Sequence, residues 1–132
     1  MQGTNKLSCS NLPTVNVPVL ELGAPAKEVS YQFKNSAFPF LPVTWQGIFV
    51  GVLHRRDWRR WPFGKWTGRL CKDTVFVFED DAVSEVLPIL ETGLLSYLTV
   101  LNRSHQVVGL TKHSLVQAAA AANTAGKSLA AA

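Results

Sequence analysis

The sequence predicts an α+β fold in which two similar units pack together with pseudo-two-fold symmetry. The first observation is an internal repeat, because residues 17–44 align with residues 74–101 at a constant offset of 57 positions. The second is that Val50-Gly51 aligns with Val108-Gly109 after an insertion of one residue. The third is that both units predict the same order of strand, helix, strand, strand and helix. Tandem units that bury their sheets against each other form one domain, and the cleft between its halves is a natural ligand site.

The first unit is predicted over residues 12–61. Gly23 and Pro25 interrupt an opening extended run, since glycine and proline punctuate elements. Val29 and Phe33 lie four residues apart, which is the spacing of one helix face. Pro62 ends the last helix because proline cannot continue it. The predicted elements are, in chain order, a strand at 17–22, a helix at 26–35, strands at 37–44 and 48–53, and a helix at 55–61.

The second unit is predicted over residues 73–122. It opens with a strand at 74–78, and Asp80-Asp81 is predicted to cap the helix that follows. Pro88 is predicted to kink that helix or to move its start to a later residue, and Gly93 is predicted to end it. The remaining predictions are a strand at 98–101, a turn at 102–105, a strand at 106–110, and a helix that Ser114 caps and that ends at Ala122.

The rest of the chain is divided into an N-terminal segment at 1–11, a linker at 62–72 and a frayed tail at 123–132. Cys9 and Cys71 lie outside the repeated core positions and have no paired spacing, so both are predicted to be reduced. No run of about 20 apolar residues predicts a membrane span, and residues 1–13 lack the apolar core of a signal peptide. A cytoplasmic protein without membrane contact is therefore the expectation.

Positive charge is concentrated around the linker. Residues 55–72 contain seven of the 13 basic residues and one acid, Asp57. Aromatic and basic residues alternate over 58–66, a pattern that suits base stacking on a nucleic acid or a hot spot for a protein partner. It is equally typical of aromatic side chains that cover the core while the cations face water. A weak nucleic-acid site over 55–72 is therefore kept only as an unlikely alternative.

Two motifs carry a resemblance to a known family. The strand Leu41-Pro42-Val43, the hairpin after it, and Val50-Gly51-Val52-Leu53 before a basic helix resemble the cystathionine-β-synthase-type (CBS) domain. In the second unit the matching stretches are 81–86, 98–100 and 108–111. Two such units in tandem resemble a stand-alone CBS pair, also called a Bateman module, and the resemblance covers about residues 12–122.

The resemblance implies a regulatory protein that binds an adenine-containing nucleotide in the cleft between its units. The family's ribose signature is Gly, two apolar residues, Ser or Thr, two variable residues and Asp, and this chain has Gly51, His54 and Asp57 at its fixed positions. A carboxylate at Asp57 can accept hydrogen bonds from both ribose hydroxyls. His54 replaces the hydroxyl residue, although an imidazole can donate to a phosphate oxygen.

The resemblance also implies the other residues of the site. Arg55 and Arg56 are candidates for phosphate contacts, with a solvated helix face as the alternative. Across the cleft the site is completed by backbone groups of Val75 for an adenine edge, by Leu95 over the ring face, and by Ser96. The second unit has Lys112 and Leu115 at the hydroxyl and carboxylate positions, so its own site is predicted to be disabled.

The expected function is therefore regulation of an unidentified partner protein through a bound adenine nucleotide, such as AMP, ADP, ATP or a related adenosine compound. No residue constellation predicts catalysis, a metal site or a resident cofactor, so the chain is not expected to be an enzyme. A homodimer is predicted, with apolar helix faces at Phe33, Trp58 and Val116 as the surfaces it would cover. The alternative from another class is a structural adaptor whose cleft is filled by its own side chains.

Overall fold

The computed structural model describes the backbone of residues 12–60 and 66–131, and the side chains of residues 12–58 and 66–122. Both units have the predicted order of strand, helix, strand, strand and helix, so the predicted α+β fold is confirmed. The elements of the first unit are β1 (Leu20–Glu21), α1 (Ala26–Lys34), β2 (Phe40–Trp45), β3 (Ile48–His54) and α2 (Arg55–Arg60). Those of the second are β4 (Phe76–Phe78), α3 (Val83–Glu91), β5 (Leu98–Leu101), β6 (Val107–Thr111) and α4 (His113–Ala131). A 3-10 helix, Trp66–Arg69, lies between them.

Each unit contains a three-stranded sheet, in the orders β1-β2-β3 and β4-β5-β6. The outer pair β1-β2 is parallel and β2-β3 is antiparallel, and the second sheet repeats this arrangement. The strand registers reproduce the offset in the sequence, because Leu20 pairs with Val43 as Val77 pairs with Val100. The one-residue insertion is reproduced as well, since Gly51 and Gly109 occupy equivalent register positions. The internal repeat is therefore a structural repeat.

The first helix of each unit is amphipathic. Val29 and Phe33 are buried in α1, and Val86 and Leu90 are buried in α3. Pro88 lies inside α3 on an exposed position, and the helix still begins at Val83, so the predicted later start is wrong. The proline removes one amide donor where water can solvate the unpaired carbonyl, which keeps its cost low.

The ends of the helices differ in part from the predictions. Gly93, with a φ of 77°, follows α3 and ends it as predicted. Asp80-Asp81 does not cap α3, because the N-cap residue is Ala82 and no side-chain hydrogen bond caps the helix; the Oδ2 of Asp81 accepts a hydrogen bond from the N–H of Phe78 at 2.8 Å instead. Ser114 does not cap α4 either, since α4 begins one residue earlier and the carbonyl of Lys112 accepts the N–H groups of Leu115 and Val116. The backbone of α4 extends to Ala131, past the predicted end at Ala122.

Each sheet packs its helices on one face and the other unit on the opposite face. The helix-side core of the first unit includes Val29, Phe33, Leu53 and Trp66. The helix-side core of the second includes Leu12, Val77, Val86, Leu90, Leu98, Val100 and Val116. Between the sheets lies a third group, here called the inter-sheet cluster. It comprises Phe40, Val52 and Leu110, with Val15, Val17, Phe38, Phe49, Cys71 and Tyr97 packed around them.

This packing corrects the surfaces that were predicted for a dimer. Phe33 is 3% exposed and Val116 is 0% exposed, so both belong to the cores of the monomer. Trp58 is half-buried and stacks on Phe33, with ring centroids 6.4 Å apart. These three side chains do not form exposed apolar helix faces, because the helices turn them toward their own sheets.

Two aromatic residues of the predicted basic and aromatic stretch cover the core of the first unit. Trp66 is buried, and its indole N–H donates to the carbonyl of Ala24 at 2.8 Å. Together with Trp58, it supports the interpretation in which aromatic side chains of this stretch pack inward. Residues 61–65 lie outside the described residues. Within the described ranges, no helix is long and apolar enough to cross a bilayer.

The residues before β1 cross to the second unit. Val15 forms an antiparallel bridge with Leu110, in which the two N–H groups donate over 2.8 and 3.1 Å. Leu12 inserts into the helix-side core of the second unit and is 4% exposed. The second unit is thus completed by residues 12–15, which precede β1 in the stretch predicted as the first unit.

The linker makes the reciprocal connection. Cys71 forms an antiparallel bridge with Val52 of β3, over 2.8 and 3.0 Å. Trp66, five residues earlier in the chain, fills the core of the first unit. The first unit is thus completed by the linker that leads into the second unit. In each unit, a segment from outside its strands and helices pairs with the last strand and fills part of the core.

The close approach of these two segments explains why two positions in the sheets are glycine. A Cβ atom on Gly51 would lie 2.5 Å from the carbonyl oxygen of Cys71, and one on Gly109 would lie 2.6 Å from that of Val15. Both distances are far below van der Waals contact, and the obstructing atoms belong to the backbone. Glycine is therefore required at both positions by the close approach of the crossing chain.

The hairpin between β5 and β6 is held by an ion pair. The Nε of Arg103 donates to Asp80 at 3.0 Å, and its Nη2 lies 2.9 Å from the same carboxylate and 3.6 Å from that of Asp81. The guanidinium also lies 4.1 Å from the ring centroid of Phe78. The hydrogen bond from Arg103, followed by its charge, holds the pKa of Asp80 below its ordinary value.

Replacing Gly109 by Ala should lower the free energy of unfolding by about 1–3 kcal/mol, because the new methyl group overlaps the carbonyl of Val15. The measurement is urea denaturation. The matched control is Gly23→Ala, since a Cβ there meets no atom within 4 Å. Equal stability of the two variants would contradict the role assigned to the crossing.

The ion pair of Arg103 predicts a pH dependence. Because the folded pKa of Asp80 is lowered, its contribution to stability is present above the unfolded pKa and is lost as the pH falls through the folded one. In Arg103→Gln the pKa of Asp80 should return toward its ordinary value. NMR titration of the Asp80 side-chain carbon tests this, and an identical titration curve in both proteins would refute the pairing.

Candidate functional site

The predicted cleft that would contain Asp57 is here called the first cleft. The helix α2 begins directly after β3, so Asp57 is its third residue and lies in its first turn. The side chain is half-buried. Among the described residues no hydrogen bond or ion pair engages its carboxylate. A carboxylate in this position is favoured by the helix dipole and keeps its acceptor sites for a ligand.

His54 lies beside it at the end of β3. It is in register with Phe40, and the two rings meet edge to face with centroids 5.9 Å apart. The imidazole is half-buried and has no side-chain hydrogen bond to any described residue. The contact with Phe40 orients the ring at the border of the inter-sheet cluster and leaves its nitrogen atoms available.

The opposite wall of the first cleft is predicted to come from the second unit. Val75, directly before β4, is 49% exposed. Leu95 is half-buried against the helix-side core of the second unit, and Ser96 is exposed. In the part of the chain that the structure describes, no hydrogen bond or ion pair joins the side chains of Asp57 or His54 to these three residues.

The two walls are brought together indirectly. Tyr97 follows Ser96 and packs in the inter-sheet cluster, which also contains Phe40, the strand partner of His54. The cluster therefore holds the segment with Leu95 and Ser96 against the same sheet from which α2 and Asp57 emerge. The arrangement of the first cleft depends on this packing between the units.

The two arginines predicted for phosphate binding have different surroundings. The guanidinium of Arg55 donates to the carbonyl oxygens of Phe33, Ser36 and Phe38 at 2.8, 2.7 and 3.0 Å. These bonds favour a structural role for Arg55 over phosphate binding and over a solvated helix face, because its donors are already used within the first unit. Arg56 is exposed and has no side-chain hydrogen bond to a described residue, so it remains a candidate for a phosphate.

The equivalent predicted cleft beside Leu115 is called the second cleft, and two aromatic side chains meet at its predicted wall. The rings of Phe38 and Tyr97 meet edge to face across the two units with centroids 5.3 Å apart. The ammonium of Lys112 lies 5.9 Å from the ring centroid of Tyr97. Leu115 is half-buried at the position equivalent to Asp57. This cleft therefore contains an aromatic pair and lacks a carboxylate at that position.

The internal repeat shows how the side chains of the first cleft differ from those of the second. At the offset of 57 positions, Phe38 corresponds to Leu95 and Tyr97 corresponds to Phe40. The predicted wall of the first cleft thus carries a leucine where that of the second carries a phenylalanine. The sequence analysis missed the contact between Phe38 and Tyr97, although the larger side chain at one of two repeated positions was a visible signal of asymmetry.

Known structures share this architecture. No protein-family model matches the sequence, and the comparison with curated proteins gives no match either. Among solved structures, the cytosolic domain of the Mg²⁺ channel MgtE in complex with ATP is similar over 78% of this chain and 44% of its own, with a TM-score of 0.68 and 19% identity. This chain thus spans less than half of that structure and of a second one, the soluble part of a magnesium transporter.

Two further structures match over most of their length. CBSX2 in complex with AMP is similar over 87% of this chain and 95% of its own, with a TM-score of 0.68 and 16% identity. A CBS domain pair/ACT domain protein from Thermotoga maritima is similar over 83% of this chain and 93% of its own, with a TM-score of 0.65 and 18% identity. Together with the repeated sheets, these similarities establish that the chain has the fold of a CBS-domain pair.

Proposed function

We propose that this chain is a regulatory module that binds an adenine-containing nucleotide in the first cleft, with the ribose on Asp57. The observation that carries the proposal is the difference between the clefts at equivalent positions. The first has a half-buried carboxylate without a partner among the described residues, and the second has Leu115. One competent nucleotide site per chain is therefore expected.

Asp57 differs in its hydrogen bonding from carboxylates that stabilise the fold. Glu21 accepts hydrogen bonds from the hydroxyl of Thr44 at 2.9 Å and from the N–H of Gln46 at 2.7 Å. Asp80 is bound by Arg103. The position of Asp57 is instead suited to the vicinal hydroxyls of a ribose, which donate to an ionised acceptor in strong charge-assisted hydrogen bonds.

The chemistry of the surrounding residues supports the same ligand class. Arg56 offers an exposed guanidinium for a phosphate group, and His54 offers imidazole nitrogens beside it. Leu95 provides an apolar surface for the face of an adenine ring. Val75 contributes backbone polar groups to an adenine edge in this proposal, and Ser96 contributes a hydroxyl at the rim.

The named ligands of two similar structures support adenine as the base. One is described as a complex with ATP and the other as a complex with AMP, and both share the fold of this chain. A third similar structure is described as a putative archaeal homologue of the γ subunit of AMPK. AMP is accordingly the first ligand to test, with ADP and ATP after it.

A second candidate function is a structural adaptor that binds no nucleotide. The contact between Phe38 and Tyr97 favours it, because these rings already fill space between the units in the second cleft. In that case the module would act through its surface. A thermal-shift screen separates the two functions, since a ligand that binds the folded state raises its stability and an adaptor would respond to no adenine compound.

Replacing Asp57 by Ala should weaken AMP binding roughly ten- to hundredfold, because it removes a hydrogen bond to a charged acceptor worth about 1.5–3 kcal/mol. The measurement is titration calorimetry. The control is Leu115→Ala, which changes the equivalent position of the second cleft and should leave the affinity nearly unchanged. Two equivalent sites per wild-type chain, or full affinity without the Asp57 carboxylate, would refute the assignment.

A homodimer also stays a proposal, but its interface would use residues other than Phe33, Trp58 and Val116. The large apolar side chains that remain exposed in the described part of the chain are Val19, Tyr31, Trp45, Ile48, Val75, Phe76, Leu94 and Val108. Light scattering should give the mass of two chains, and a monomer at working concentration would contradict this.

The cytoplasmic location and the absence of catalysis stay predictions from the sequence.

A further inference from the structure

We propose that Arg55 is a positioning residue for the first cleft, which ties the helix that carries Asp57 to the segment of the second unit that carries Leu95 and Ser96. The inference rests on the proposed nucleotide site and adds a residue that does not itself contact the ligand. Its basis is a continuous set of contacts that runs from Arg55 through Phe38 to Tyr97.

The first step is the set of hydrogen bonds made by Arg55. Its Nε donates to the carbonyl of Phe38, its Nη1 to that of Phe33 and its Nη2 to that of Ser36, all within 3.0 Å. The guanidinium also lies 5.1 Å from the ring centroid of Phe33. Its backbone N–H donates to the carbonyl of Pro39 at 2.8 Å. One residue thus binds the end of α1 and the loop at 35–39 to the start of α2.

The second step crosses to the other unit. The loop held by Arg55 carries Phe38, whose ring meets that of Tyr97 with centroids 5.3 Å apart. Tyr97 directly follows Ser96, on the proposed opposite wall of the first cleft. A displacement of the loop would therefore move the partner surface of Tyr97 and change the separation between Asp57 and that wall.

The equivalent position of the second unit has no such arrangement. His113 corresponds to Arg55, and its Nε2 makes one contact of 3.9 Å with the carboxylate of Glu91. No hydrogen bond from the His113 side chain to a backbone carbonyl occurs among the described residues. Among the described residues, this set of hydrogen bonds therefore occurs in the unit that keeps the carboxylate, which is consistent with a role in the proposed nucleotide site.

The three hydrogen bonds to backbone carbonyls require an arginine side chain at position 55. A planar guanidinium presents donors in a fixed fork and can serve three carbonyl oxygens that lie in different directions, whereas a lysine ammonium acts as a point charge on a flexible stem. Arg55→Lys keeps the positive charge and the stem but loses this geometry. It therefore separates the positioning role from a simple electrostatic effect on a bound phosphate.

The test compares AMP affinity by titration calorimetry in the wild type, Arg55→Lys and Arg103→Lys. We expect roughly tenfold weaker binding in Arg55→Lys, which is the size of coupling carried through packed side chains. Arg103 is the matched control, since it also uses a guanidinium fork but binds Asp80 away from the first cleft. Its replacement should leave AMP affinity unchanged, and an equal loss in both variants would overturn the proposal.

A second measurement does not need a ligand. The chain has two tyrosines, so ring labelling with ¹³C gives two sets of NMR signals, and Tyr97→Phe assigns them. Arg55→Lys should shift the Tyr97 signal, because Arg55 contacts the backbone of Phe38 and the ring of Phe38 contacts Tyr97, while Arg103→Lys should not. A stationary Tyr97 signal, or lower stability of Arg55→Lys with unchanged AMP affinity, would overturn the positioning role.

These results distinguish the two proposals. A wild-type chain that binds none of AMP, ADP and ATP contradicts the proposed nucleotide function, and with it the effect of Arg55 on affinity. The Tyr97 signal still reports whether Arg55 links the two units in that case. If the wild type binds AMP and Arg55→Lys binds it equally well, only the positioning role is refuted.

Discussion

The close approach of two crossing segments to the sheets is the constraint on which the rest of the structure depends. The bridges from Val15 to Leu110 and from Cys71 to Val52 each bring a carbonyl oxygen to within 2.6 Å of where a Cβ would be, which is why Gly109 and Gly51 are present. Leu12 then closes the core of the second unit, and Trp66 closes that of the first. Because each unit needs a segment attached to the other, the two are expected to unfold as one cooperative body.

The repeated sheets pack against each other, and the two predicted clefts between the units differ through a few substitutions within the repeat. Phe38 and Tyr97 fill the second cleft, where Leu115 also removes the carboxylate. The first cleft has Leu95 in place of the phenylalanine and keeps Asp57. A symmetric scaffold thus carries two different sets of side chains, which suits the proposed module that responds to one bound molecule per chain.

Arg55 lies in the unit that keeps Asp57 and also stabilises the packing between the units. Its hydrogen bonds order a loop that belongs to no helix or strand, and that loop carries the ring in contact with Tyr97. A ligand that favours one separation of the cleft walls could therefore change the relation between the units through the same contacts. Such coupling requires a different affinity of the ligand for the two arrangements, as in any allosteric protein.

The sequence by itself determined the repeat, the order of the elements and the signature around Asp57, because apolar spacing and glycine positions are local properties of the chain. It also predicts that Leu115 disables the second site. Only the tertiary structure decided that Arg55 serves backbone carbonyls, that Phe38 meets Tyr97, and that Phe33 and Val116 are buried in the monomer. These contacts join residues far apart in the chain, so they follow from how the two units pack and not from the pattern within either one.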